Sequence, residues 1–193
     1  MILGITGGTG CGKTTLLSLV AEQGGLVIDC DKLYHQLLQE DNALLRNIDA
    51  RFPGVVKDGA LQRKRLGNIV FSDKLALQDL NAITHKAVYD AVLSKLAAKP
   101  TLAAIDAIGL FESGLDKLCD VTVAVTAPED ARIARLMQRD QITEEYAKSR
   151  IAAQPSGEEF SALCTYTLEN DKTPEAFRNK CLVFLKNLGI ITL

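Results

Sequence analysis

One segment, Gly7-Gly8-Thr9-Gly10-Cys11-Gly12-Lys13-Thr14, constrains this chain more than any other. It fits the pattern G-x-x-x-x-G-K-[ST]. It lies between a short apolar run, Ile2–Thr6, and a stretch of helical periodicity, Lys13–Gln23, closed by Gly24-Gly25. Glycine lets a backbone curl through positive φ and puts no Cβ in the way of a ligand. The curl turns successive N–H groups inward as an anion nest, and a helix starting at Lys13 adds its positive end. Strand, glycine turn and helix in this order predict a cradle for a nucleoside triphosphate, built by Gly8, Thr9, Gly10, Cys11, Gly12, Lys13, Thr14 and Thr15. Lys13 is expected to reach the β- and γ-phosphates and the Thr14 hydroxyl to ligate Mg²⁺. A glycine-rich turn with a chance lysine is the alternative, and the strand before and helix after argue against it.

The rest of the chain repeats the same alternation. Leu26–Asp29, Leu102–Ala107 and Val121–Thr126 are uninterrupted apolar runs, and Tyr166–Leu168 is a last short strand. Residues 31–40 and 42–52 are expected to be helical, followed by a turn at Asp58-Gly59. Asp73–Ala98 carries helical spacing with one break expected near Thr84-His85. Pro128 opens a helix through Met137, residues 143–153 form an exposed one, and Thr173-Pro174 opens a final helix ending near Gly189. Apolar strands alternating with helices predict an α/β fold, a mostly parallel sheet covered by helices on both faces. Ligands of such sheets bind at the carboxyl ends of the strands, so chemistry is expected just after residues 6, 29, 107 and 126.

The 193 residues suit one domain, and a net charge of −2 argues against a nucleic-acid coat or a polybasic membrane surface. No apolar run approaches the roughly 18 residues that a membrane-spanning helix needs. The opening MILGITGGTG has no basic region and breaks into glycine, so it is expected to be a strand and not a secretory leader. Cys11, Cys30, Cys119, Cys164 and Cys181 form no C-x-x-C pair, and only His35 and His85 could join them on a metal. Small apolar packing in a reducing cytoplasm is the expectation.

Asp29-Cys30-Asp31 closes the second apolar run. Two carboxylates at a strand end can hold a magnesium-bound water and take a proton from an attacking hydroxyl. They can equally form a solvated turn with an aspartate cap. Arg135 and Arg139 lie four apart and share a helix face. They can clamp phosphoryl oxygens, or pair with Glu129 and Asp130 on a solvated helix.

The opening GITGGTGCGKTT followed by VIDCD resembles the dephospho-coenzyme A kinase family. Asp58–Arg63, Val70–Asp73, Leu80–His85, Leu110-Phe111-Glu112, Arg135, Arg139, Arg150–Gln154 and Asn170 resemble further family segments in the same order, from residue 3 to about 172. The resemblance implies a P-loop NTPase three-layer fold with a five-stranded sheet. Its core would span about 1–30, 100–128 and 160–193, with a helical acceptor-binding region at about 31–99 and a helical lid at about 135–158. It implies transfer of the ATP γ-phosphoryl group to the ribose 3′-hydroxyl of dephospho-coenzyme A, with Mg²⁺ as cofactor. Lys13, Asp31 and Arg139 would be catalytic, with Asp31 as base. Arg135 and Asn170 would bind ATP, Asn170 through adenine. Asp29, Asp31, Arg63, His85, Leu110, Phe111, Glu112 and Arg150 would bind the acceptor. Thr14 would ligate the metal, with Asp29 or Asp106 acting through water. The expected partners are ATP and dephospho-coenzyme A, with no nucleic acid and no membrane, for a cytoplasmic monomer or weak homo-oligomer. Departures are Lys86 for the proline after His85, Ile108-Gly109 for Pro-Leu, Cys11 for serine, Cys30 for alanine and Gln62 for an acid.

Two other readings share the loop. A kinase for another nucleotide or small hydroxyl acceptor would differ near residues 58–63, 85 and 108–112. A GTP-driven switch would use Asp106–Gly109 as D-x-x-G, but no N-K-x-D follows: Asn179-Lys180 continues as Cys-Leu.

Overall fold

In the computed structural model, which describes residues 1–191, the chain runs β1 (Ile2–Thr6), α1 (Lys13–Glu22), β2 (Leu26–Asp29), α2 (Cys30–Glu40), α3 (Asn42–Arg51), β3 (Val56–Lys57), β4 (Ala60–Leu61), α4 (Arg63–Val70) and α5 (Lys74–Leu96). It continues through β5 (Ala103–Asp106), a 3-10 turn at Leu115–Leu118, β6 (Val121–Thr126), α6 (Glu129–Asp140), α7 (Glu144–Ala152), α8 (Gly157–Leu163), β7 (Tyr166–Glu169) and α9 (Pro174–Asn187). Two compact units result. One holds Met1–Ile28 and the chain from Pro100 onward, and the other is Asp29–Lys99.

The first unit is built on a five-stranded sheet ordered β2-β5-β1-β6-β7. β1 pairs in parallel with both β5 and β6, and β6 with β7. This brings Thr6, Asp106, Thr126 and Glu169 to one edge, the carboxyl edge where parallel sheets take ligands. Strand side chains alternate between faces. Leu3, Ile5, Ala104, Val123, Val125 and Leu168 therefore share a core with Leu16, Leu19 and Val20 of α1 and Phe177, Phe184 and Leu185 of α9. On the opposite face Gly4 is crowded by Cys119 and Leu110, so a side chain there would collide. This buried arrangement on both faces is why the strands read as continuous apolar runs.

The second unit gathers Leu38, Leu44, Leu45, Ile48, Phe52, Val55, Leu66, Val70 and Ala76 into its own core. Asp41 and Asp73 cap α3 and α5 by accepting from amides of the first turns. Asp58 and Gly59, both at positive φ, make the two-residue turn between β3 and β4.

Two expectations need correction. α5 runs unbroken through Thr84 and His85: Thr84 is buried, its hydroxyl donating to the Leu80 and Asn81 carbonyls, and Lys86 supplies the amide that a proline would lack. α6 continues past Met137 to Asp140. The exposed helix expected at 143–153 is present as α7; most of its residues are exposed, and Ala147 and Ile151 anchor it against Ile133 and Leu136 of α6. Two short helices, α4 and α8, add to the expected elements, and Ser156 and Glu159 form a capping box at the start of α8.

Candidate functional site

Gly7–Gly12 form a loop between β1 and α1, and the glycines in it have different jobs. Gly10 (φ 78°) and Gly12 (φ 98°) occupy the left-handed region that side chains resist. Gly8 has no such φ; it is glycine because the Arg132 guanidinium fills the space, its Nη2 lying 2.3 Å from where a Cβ would be. Gly12 caps α1 with no side chain receiving the first amides, which leaves the helix N-terminus open to an anion. Lys13 curls back over the loop. Its Nζ donates to the Gly7 carbonyl at 2.8 Å and lies 3.8 Å from an Asp106 carboxylate oxygen. The Thr14 side chain stands exposed in the first turn of α1.

Side chains from distant parts of the same unit hold the outside of this loop. Arg132 Nε donates to the Thr9 carbonyl (2.9 Å), and the Gln154 Oε1 accepts from the Thr9 amide (2.7 Å). Arg135 donates to the Gly10 carbonyl (3.0 Å), and the buried Asn170 Nδ2 donates to the Cys11 carbonyl (2.9 Å). The backbone of Thr9 is thus engaged at both its N–H and its C=O, by Gln154, two residues past α7, and by Arg132 of α6. The sequence reading leaves out Arg132. The signal that finds it is spacing: Arg132, Arg135 and Arg139 recur at i, i+3 and i+7, one face of α6. Gln154 enters that reading only as part of a motif, with no role.

Elsewhere in this unit Asp140 closes α6 between two arginines, accepting two hydrogen bonds from Arg139 and one from Arg150. Hydrogen bonds from Arg139, then from Arg150, hold the Asp140 carboxyl well below the usual carboxylate range. Neither Arg135 nor Arg139 pairs with Glu129 or Asp130 among the described residues. After β5, Leu110 is fully buried against Gly4 and presents no surface, Phe111 is half-buried and Glu112 exposed.

In the second unit, Asp29 caps α2. Its carboxylate accepts from the Lys32 amide (3.0 Å) and pairs with the Lys32 ammonium (2.9 Å). Burial pushes this carboxyl up, but the hydrogen bonds and charge of Lys32 outweigh it and leave the pKa below the ordinary value. Asp31 stands exposed in the first turn of α2. Arg63 is exposed at the start of α4, beside a cavity of about 680 Å³ lined also by Lys57, Lys64 and Arg65. His85 is half-buried midway along α5.

The family profile of Dephospho-CoA kinase matches residues 1–175. This chain belongs to the dephospho-CoA kinase family. The Dephospho-CoA kinase of Anaeromyxobacter dehalogenans is 38% identical over 193 residues, covering 97% of this chain and 92% of the relative. Among solved structures, TT1252 from Thermus thermophilus superposes with a TM-score of 0.82 at 30% identity, covering 100% of this chain and 98% of the other. The Dephospho-CoA kinase from Campylobacter jejuni gives 0.67 at 26% identity, covering 97% and 96%. As in other P-loop kinases, the sheet presents its glycine loop at the carboxyl edge. In this dephospho-CoA kinase family member no described helix is long and apolar enough to cross a membrane, and no cysteine among the described residues forms a disulfide.

Proposed function

We propose that the chain transfers the γ-phosphoryl group of ATP to the ribose 3′-hydroxyl of dephospho-coenzyme A, giving coenzyme A and ADP. The observation that carries this reading is the cradle at the head of α1: uncapped helix amides, two left-handed glycines and a lysine folded over the loop, in a chain of the dephospho-CoA kinase family. Phosphoryl transfer asks a protein chiefly for positioning and charge neutralisation, and each of these parts supplies one or the other.

Residues Gly8–Thr15 hold the phosphate chain, and Lys13 exchanges its Gly7 carbonyl for phosphate oxygens. The acceptor 3′-oxygen attacks the γ-phosphorus as the bond to the β-bridging oxygen breaks. The hydroxyl proton passes to Asp31, which suits a base better than Asp29 because Asp29 is already engaged by Lys32. Arg139 neutralises the transferring group, which requires it to leave Asp140. Arg135 and Asn170 support ATP through the loop carbonyls they hold. Arg63, His85, Phe111, Glu112 and Arg150 serve the acceptor. The donor set fits Mg²⁺: an exposed Thr14 hydroxyl and Asp106 near Lys13, with no group of three or more His, Cys, Asp or Glu among the described residues that could cage a metal. Thr14, with Asp106 acting through water, would hold such an ion against the phosphate chain. When bound it would supply charge neutralisation at the β- and γ-oxygens.

A coupled ADP-release assay with ATP tests this, using dephospho-coenzyme A and a panel of nucleoside monophosphates as acceptors. ADP should appear with dephospho-coenzyme A and match the coenzyme A formed. Lys13→Ala should lower turnover roughly 100-fold or more with the fold retained. Equal or faster ADP release with a nucleoside monophosphate would replace this acceptor by another.

A further inference from the structure

Arg132 is the one strongly buried arginine among the described residues of the first unit, with 6% of its surface exposed. Its Nε is satisfied by the Thr9 carbonyl, but its Nη2 is buried and has no hydrogen-bond partner. No carboxylate forms an ion pair with it among the described residues. The guanidinium packs against Gly8, in space that any Cβ at that position would fill. The α6 backbone at Arg132 also crowds Gly10.

This is an unusual use of a charge. If the only need were to satisfy the Thr9 carbonyl, a neutral donor would do so without burying a cation. Taking a guanidinium out of water with no anion beside it is unfavourable, and an unmatched buried N–H adds to that cost. The cation lies directly behind a loop whose helix amides and lysine already gather positive potential. We infer that Arg132 is a positioning residue for the nucleotide: it holds the crest of the loop and lends it a buried positive charge whose balancing anion is the bound polyphosphate. It acts through the Thr9 peptide and through its field at short range in a low-dielectric setting. The inference rests on the loop being the phosphate site.

The inference separates charge from scaffolding. Arg132→Gln keeps a donor for the Thr9 carbonyl and removes the charge. Arg132→Lys keeps the charge and loses the planar guanidinium. Titration calorimetry with ATP and with ADP, together with thermal melting of each ligand-free protein, reads both. For Arg132→Gln, ATP affinity should fall tenfold or more and ADP affinity less, since fewer phosphate charges are lost. Its ligand-free melting temperature should hold or rise. Arg132→Lys should keep ATP affinity within about threefold of wild type. Four results would overturn the inference: ATP and ADP weakened by the same factor, Arg132→Lys as damaged as Arg132→Gln, a ligand-free Arg132→Gln that melts lower or does not fold, or ATP affinity unchanged in Arg132→Gln. Wild-type protein that binds no ATP would instead overturn the phosphate-site reading, so the two failures are distinguishable.

Discussion

Gly12→Ala is the sharpest perturbation of the cradle, because two independent costs meet at one atom. At φ 98° an L-residue is strained, by roughly 1–2 kcal/mol. The new Cβ would also stand 2.4 Å from Asn170 Nδ2, so the amide that donates to the Cys11 carbonyl must move. Losing that hydrogen bond adds about 1 kcal/mol, and more if the buried carbonyl stays unmatched. The sum is about 2–4 kcal/mol. For a chain of this size that lowers the melting temperature by roughly 4–16 °C. Denaturant unfolding of Gly12→Ala, Asn170→Ala and the double variant measures how the costs divide. Asn170→Ala alone loses the same hydrogen bond and also removes the object of the collision. The double variant should therefore be less destabilised than the two singles added together, by about 1 kcal/mol or more. Strict additivity, or a Gly12→Ala protein as stable as wild type, would refute the claim that Asn170 and the loop are locked at this point.

Gly8→Ala carries no positive-φ strain, so its cost lies in displacing the Arg132 guanidinium. Its effect on ATP affinity should largely vanish in an Arg132→Gln background, as calorimetry on the double variant would read. Asp31→Asn should lower kcat at least 100-fold while changing the KM for ATP only a few-fold; if Asp29→Asn is the crippling change, the two acids are reversed. The depressed Asp140 carboxyl contributes stability that is fully present above the unfolded carboxylate pKa, about 3.9, and is lost as pH falls toward its lower folded value. Asp140→Asn should therefore flatten the acid limb of the stability–pH curve below about pH 4, and denaturant midpoints across pH 2–6 would show it.

What was legible in the sequence followed from local rules. Apolar strands without alternation announced a sheet buried on both faces. Asp58-Gly59 announced a two-residue turn because both residues must take positive φ. Thr173-Pro174 announced the start of α9, where the threonine caps and the proline needs no amide partner. Partnerships between residues far apart in the chain were not legible. Nothing local says that Gly8 is small for the sake of Arg132, 124 positions away, or that Gln154 accepts from Thr9 across a separation of 145. The seating of α7 on α6 was not legible either. Its two buried side chains, Ala147 and Ile151, lie four apart among charged neighbours, too thin a stripe to read without the α6 surface it meets.

The departures from the family pattern make sense once their neighbours are seen. Lys86 stands where the resemblance has proline, and it pairs with Asp90 one turn on, at 2.8 Å. An exposed pair of that kind adds only a few tenths of a kcal/mol. The larger consequence is the retained amide, since an interior proline costs about 3 kcal/mol and bends the helix. The unbroken course of α5 past His85 is therefore a property of this chain's own residue choice. Ile108-Gly109 is absorbed through main-chain atoms. The Ile108 carbonyl accepts from the buried Thr6 hydroxyl at the end of β1, and the Gly109 carbonyl from Ser113. Carbonyls do not depend on which side chain is attached, so the end of β1, where the phosphate loop begins, keeps its support when these side chains change. Substitution at 108 and 109 can then alter what lies beyond β5 while leaving the cradle's anchor in place.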